Sequence, residues 1–135
     1  MKVSKSFGVQ QAVVAIAAIV AITSCAPAVQ KMTAEQVRST FVGTTDYGTY
    51  QSGKTFVSYM ASDGTITLRH EGQTDVGQYR IEPDGSLCVQ YHAQQQDGDL
   101  CQTVWQATDR FYTSFSDGKP GATITSVKPG NAEHL

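Results

Sequence analysis

The sequence has few of the features that most often betray an activity. Its three histidines, His70, His92 and His134, are scattered, and none has a partner at the spacing of a zinc site. No G-x-S-x-G elbow presents an activated serine, and no glycine-rich phosphate loop opens a helix. Cysteine is scarce, three in all, with no C-x-x-C redox pair. No stretch is strongly basic: Lys and Arg number 10 against 12 Asp and Glu, so nucleic acid would find no electrostatic footprint. The apolar run from Ala12 to Ile22 has eleven residues, about half of what a membrane-spanning helix needs. No motif marks a catalytic class, although carboxylates could still be brought together from distant positions.

Residues 1–24 have the three parts of an export signal and are set aside from the fold. Lys2 and Lys5 give a positive start, the apolar run follows, and Ile22-Thr23-Ser24-Cys25 closes it. That last segment resembles the lipobox of bacterial lipoproteins, which implies cleavage after Ser24 and a lipid on Cys25. The alternative is an ordinary signal peptide cut nearby, with Cys25 lost or left as a spare thiol. Cysteine parity favours lipidation, because an odd count in an exported chain needs an explanation and lipid on Cys25 leaves Cys88 and Cys101 as a pair. Ala26 stands where retained lipoproteins carry aspartate, and by the same resemblance this implies an outer-membrane anchor facing the periplasm. A soluble periplasmic or secreted form is the alternative. Residues 25–31 are then a lipidated tether, and residues 32–135 one β domain. Loss of Lys2 and Lys5 leaves eight basic residues against 12 acidic ones.

After the tether, Thr33 can cap a helix, Gln36 can reach back to it, and Met32 can staple onto Val37. Val37 and Phe41 lie on one face, predicting a short helix from Ala34 to Phe41. From Val42 the period changes to two, with turns at Ser52-Gly53, Asp63-Gly64, Glu71-Gly72, Asp84-Gly85, Asp97-Gly98 and Asp117-Gly118. The strands expected between them are Gly43–Tyr50, Thr55–Met60, Thr65–His70, Gly77–Glu82, Leu87–Tyr91, Leu100–Gln106, Arg110–Phe115 and Ala122–Val127. Alternation turns Ile66, Leu68, Tyr79, Ile81, Leu87, Val89 and Tyr91 inward, with Phe111 and Phe115 joining them. Val104 and Trp105 oppose each other, which suggests a strand covered on both sides. The expected fold is all-β: a small antiparallel meander of about eight strands with a short N-terminal helix. A barrel is the first choice because closure removes edges, and a sandwich-like sheet is the second.

Leu87 to Trp105 is the stretch around which the other strands are arranged, two strands with Cys88 and Cys101 at corresponding positions. In an oxidising compartment they are expected to form a structural disulfide, on the polar parity and so at the surface beside Trp105. His70 shares parity with Ile66 and Leu68 and is expected to be a half-exposed structural residue, while His134 falls in a tail expected to fray. Asp97-Gly98-Asp99 lacks the remaining ligands of a calcium loop, and no metal or cofactor site is expected. The six tyrosines, the phenylalanines and the single tryptophan are expected to fill the interior rather than line a cavity.

Further segments are Thr33-Ala34-Glu35-Gln36-Val37, Phe41-Val42-Gly43-Thr44-Thr45, Tyr59-Met60-Ala61-Ser62-Asp63-Gly64-Thr65, Gly77-Gln78-Tyr79-Arg80-Ile81, Leu87-Cys88 with Cys101, and Val127-Lys128-Pro129-Gly130-Asn131. In order and spacing they resemble a family of small exported proteobacterial domains of unknown function, which implies a compact β fold with one disulfide and no active site. Where that family would have tryptophan in the fourth strand, this chain has Tyr79. The leading functional expectation is a non-catalytic envelope lipoprotein, held to the membrane through Cys25 and binding a protein or envelope component. An inhibitor of a protease or lysozyme is one alternative, and a hydrolase or small-ligand carrier with its site inside the barrel is another.

The anchor has a direct test in the intact mass of protein recovered from a Gram-negative envelope. A chain starting at Cys25 with added acyl chains is expected, and Cys25→Ser should release the protein from the membrane with its fold unchanged. An unlipidated mass would remove the anchor.

Overall fold

The computed structural model describes residues 28–93 and 98–135. At the first helix the Thr33 hydroxyl accepts from the Gln36 N–H (3.2 Å), and the Thr33 N–H donates to Gln36 Oε1 (2.8 Å). This reciprocal cap satisfies two donors that a helix N-terminus otherwise leaves unpaired. It starts α1, Ala34–Phe41, with Val37 and Phe41 as the buried face. Met32, the residue before the cap, is buried together with Val37.

The strands are β1 (Gln30–Lys31), β2 (Thr44–Tyr50), β3 (Thr55–Met60), β4 (Thr65–His70), β5 (Gln73–Ile81), β6 (Leu87–Tyr91), β7 (Leu100–Gln106), β8 (Phe111–Phe115) and β9 (Pro120–Pro129). Each strand from β2 to β9 pairs antiparallel with the next, and β9 returns to pair with β2. The result is a closed eight-stranded barrel, not a sandwich. Closure leaves no row of unpaired backbone groups along the sheet.

Three stretches differ from the sequence reading by more than one residue. Strand β5 begins at Gln73, not Gly77, because Glu71 and Gly72 both take positive φ (49° and 77°) and turn the chain in two residues, so that Gln73 already faces His70. Strand β9 runs from Pro120 to Pro129, beyond the expected Ala122–Val127, because the β2 partners continue to Pro129. Gln30 and Lys31, expected in the tether, instead pair with Gln106 and Trp105 of β7. Strand β6 accompanies β7 only through Leu100, Cys101 and Gln102, and β1 occupies the same edge further along.

The strand directions place α1 at the end of the barrel that holds the β3–β4, β5–β6 and β7–β8 turns. There the Met32 N–H donates to Val104 O (2.9 Å) and Phe41 meets Phe111 edge to face, with ring centroids 5.1 Å apart. Met32, Val37, Phe41 and Met60 are almost fully buried and close this end. The C-terminal tail also folds back here rather than fraying. Thr45 Oγ1 donates to Gly130 O and accepts from the Ala132 N–H, and the Asn131 side chain bonds both N–H and C=O of Leu135. Glu133 holds the tail to the outer wall, accepting from Tyr47 (2.7 Å) and Arg69 (3.0 Å). The Tyr47 hydrogen bond, followed by that of Arg69, lowers the Glu133 pKa.

Cys88 and Cys101 are cross-strand partners with sulfurs at bonding distance, 2.08 Å. The pair is less open than the surface disulfide that parity implied, since Cys88 is only 2% exposed while Cys101 is half-buried. It faces outward as expected, but the hollow over it is walled by Arg80, Glu82, Pro83, Asp84 and Ser86. Arg80 is held there by Glu82 and Asp99. Closing a loop of this length stabilises a fold by about 3 kcal/mol in the chain-entropy account. Cys88→Ser should therefore lower the melting temperature clearly under non-reducing conditions. An unchanged melting curve would contradict the role given to this bond.

Candidate functional site

The inward rows can be followed around the barrel from the register. Asp46, Gly48 and Tyr50 of β2 face Ser58 and Phe56 of β3, which in turn face Leu68 and His70 of β4. On the far wall, Leu87, Val89 and Tyr91 of β6 stand beside Leu100 and Gln102 of β7. Apolar side chains dominate the closed half. The half away from α1 is more polar, and Tyr50, Tyr91, Leu100 and Gln102 are only half-buried.

The aromatic residues do not fill this interior. A cavity of about 280 Å³ remains, floored by Phe41 and Met60 and walled by side chains of all eight barrel strands except β5. Two backbone features shape it. Gly48 lies opposite Phe56 on the inner wall, and any side chain there would collide with the Phe56 ring. Freed of that obstruction, Phe56 lies against Tyr50 with ring centroids 4.7 Å apart. On the other side the β8–β9 register shifts between Tyr112 and Ser114. Thr113 turns its hydroxyl to accept from the Ala122 N–H (2.8 Å), which satisfies a buried donor beside the irregularity.

Asp46 is the polar group that stands out. It is 4% exposed, and among the described residues the cavity wall has this one carboxyl and no basic side chain. Ser58 Oγ donates to its Oδ1 at 2.7 Å. Burial pushes the Asp46 pKa up to about 6, a rise that the Ser58 bond reduces without cancelling. The tyrosines on either side respond to the same surroundings: burial, then the Asp46 charge, raises the Tyr50 pKa, and burial, Tyr50 and Asp46 raise that of Tyr91. Asp75, the other buried carboxyl, faces Leu68 and accepts from the Ala93 N–H (3.2 Å).

The residues singled out in the sequence are mostly elsewhere. Cys25 and Asp97 lie outside the described residues, so neither the lipidation site nor the full Asp97-Gly98-Asp99 segment is located. Asp99 pairs with Arg80. His70 is half-buried on the inward row, edge-on to Tyr50 at 6.3 Å; His92 is exposed and His134 sits in the folded tail. Among the described residues no three His, Cys, Asp or Glu side chains gather as metal ligands. Asp46 was missed because both parities of Thr44–Tyr50 are largely polar, so no apolar face marked the inside. The available signal was its parity with Tyr50.

Comparison with protein-family models, curated proteins and solved structures finds no match for this chain.

Asp46 makes stability depend on pH in a definite direction. Its folded pKa, about 6, lies above the ordinary aspartate value of 3.8, so between these values the native state holds more protons than the unfolded chain. Its contribution is complete below about pH 3.8 and is lost as the pH rises through about 6, a difference on the order of 3 kcal/mol. Asp46→Asn keeps an acceptor for Ser58 and removes the charge. The variant is expected to be more stable than the parent by about 1 to 3 kcal/mol near neutral pH, with the gap closing in acid. Denaturant titrations across that range check this, and a variant less stable at neutral pH would contradict it.

Proposed function

We propose that the protein is a non-catalytic envelope binding protein that carries a small, mostly apolar ligand inside its barrel. The observation that carries this reading is the cavity of about 280 Å³. In an eight-stranded barrel the interior is just wide enough either to be filled by side chains or to hold one small ligand. The volume is near the lower end of small-molecule pockets, roughly 300 to 1,000 Å³, and the mixture of apolar wall with few polar groups is typical of them. A carboxylate kept in the wall at a cost to stability supports a binding role, because perturbed acids gather at functional sites.

Export and a lipid on Cys25 belong to the same proposal. They rest on the signal-like residues 1–24, and a disulfide suits an oxidising compartment. Binding of a protein through the outer wall, or inhibition of a protease or lysozyme, has less support. Among the described residues, the large hydrophobic side chains left exposed are the isolated Val29 and Val76, which fall short of an apolar docking patch.

A neutral naphthalene fluorophore should brighten and shift to the blue on addition of the protein. Ala122→Phe, which fills the cavity from β9, should weaken that binding by about tenfold or more. Fluorescence unchanged by the parent protein, or equal binding by a folded Ala122→Phe variant, would overturn an internal site.

A further inference from the structure

We propose that the cavity takes a small organic amine in its protonated form, with the ammonium set between the Asp46 carboxylate and the rings of Tyr50, Phe56 and Tyr91. This inference rests on the reading of the barrel as a small-ligand carrier and names the chemical class of its ligand.

Charge argues for it first. Asp46 is 4% exposed and has one side-chain partner among the described residues, the neutral Ser58 hydroxyl. A buried carboxylate needs a counter-charge or several donors to be comfortable, and the described cavity wall offers no Lys, Arg or His. A cationic ligand supplies the partner that the described wall does not. An anionic ligand would meet like charge with no basic group to offset it, and a neutral one would leave the carboxylate as it is.

The aromatic groups give an independent reason. Tyr50, Phe56 and Tyr91 all line the cavity together with Asp46, and the faces of such rings attract cations, more strongly when water is excluded. Tyr50 and Phe56 lie close together, with ring centroids 4.7 Å apart, and both border the cavity that Asp46 lines. The two phenol oxygens and Ser58 Oγ add acceptors for ammonium hydrogens. Below them Ile66, Leu68, Val89 and Ile124 give the apolar body of the ligand a dry wall. The other buried carboxyl, Asp75, accepts from the Ala93 N–H and lies outside the cavity wall, although its charge also acts on Tyr91.

The test compares phenylethylamine with phenylethanol, which has nearly the same shape but no charge, by calorimetric titration at near-neutral pH. The amine should bind about tenfold or more tighter to the parent protein, as expected for a desolvated ion pair with cation–π support. Asp46→Asn should bring the two within about twofold of each other, while its cooperative denaturant unfolding at neutral pH shows that the variant folds. Equal binding of amine and alcohol by the parent, or a preference that survives in Asp46→Asn, overturns the inference while fluorophore binding leaves the carrier reading standing. Failure of the fluorophore and both small ligands to bind overturns both readings.

Discussion

The pairing of β2 with β9 is the contact on which the rest of this structure depends. It joins the first barrel strand to the last across the full length of β2, from Thr44 opposite Pro129 to Tyr50 opposite Ala122. Without it the sheet would have two open edges and no enclosed interior. The closing strand is also the one that bears Asp46, Gly48 and Tyr50 on its inner side, so the step that completes the fold sets in place the one carboxyl that lines the cavity among the described residues. A register shift between Tyr47 and Gly48 falls within the same seam. Bulges of this kind increase local twist and re-aim neighbouring side chains, and this one lies between the carboxyl and the glycine that makes room for Phe56.

Two demands on the interior are separated along the barrel axis. Near α1, tightly packed Met32, Val37, Phe41 and Met60 supply apolar burial. Further along, space and polarity replace packing. Buried side chains usually stabilise by removing apolar surface from water, and an ionised Asp46 works against that gain. The helix cap, the disulfide and the folded tail all act outside the cavity and stabilise the chain without occupying it. Such a division is expected where binding needs groups that stability alone would not retain.

Much of the architecture could be read from the residues, because each signal was local. Thr33 and Gln36 fixed the helix start, and the period-two runs between glycine turns fixed most strands. What was not legible depended on distant partners. Gln30 and Lys31 have no strand signature; they extend because β7 offers an edge beyond the reach of β6. Gln73 to Val76 lack an apolar face and are ordered by the two-residue turn at Glu71-Gly72. Parity placed Cys88 on the outward side correctly but could not reveal that Arg80 and its acidic partners would wall it in. The cavity was hidden for a related reason: the aromatic count was known, but not that Trp105 would point outward to Ser114 or that Tyr47 would hold the tail on the outer wall.

The short strand β1 joins the barrel beside α1, at the end sealed by Met32 and Phe41. Only four residues separate Gln30 from Cys25, a span of about 17 Å at full extension. If Cys25 carries a lipid, the bilayer is therefore on the sealed side, and the end bearing Tyr50, Tyr91 and Gln102 looks away from it. A ligand would then be exchanged with the aqueous space and not drawn directly from the membrane to which the protein is tied.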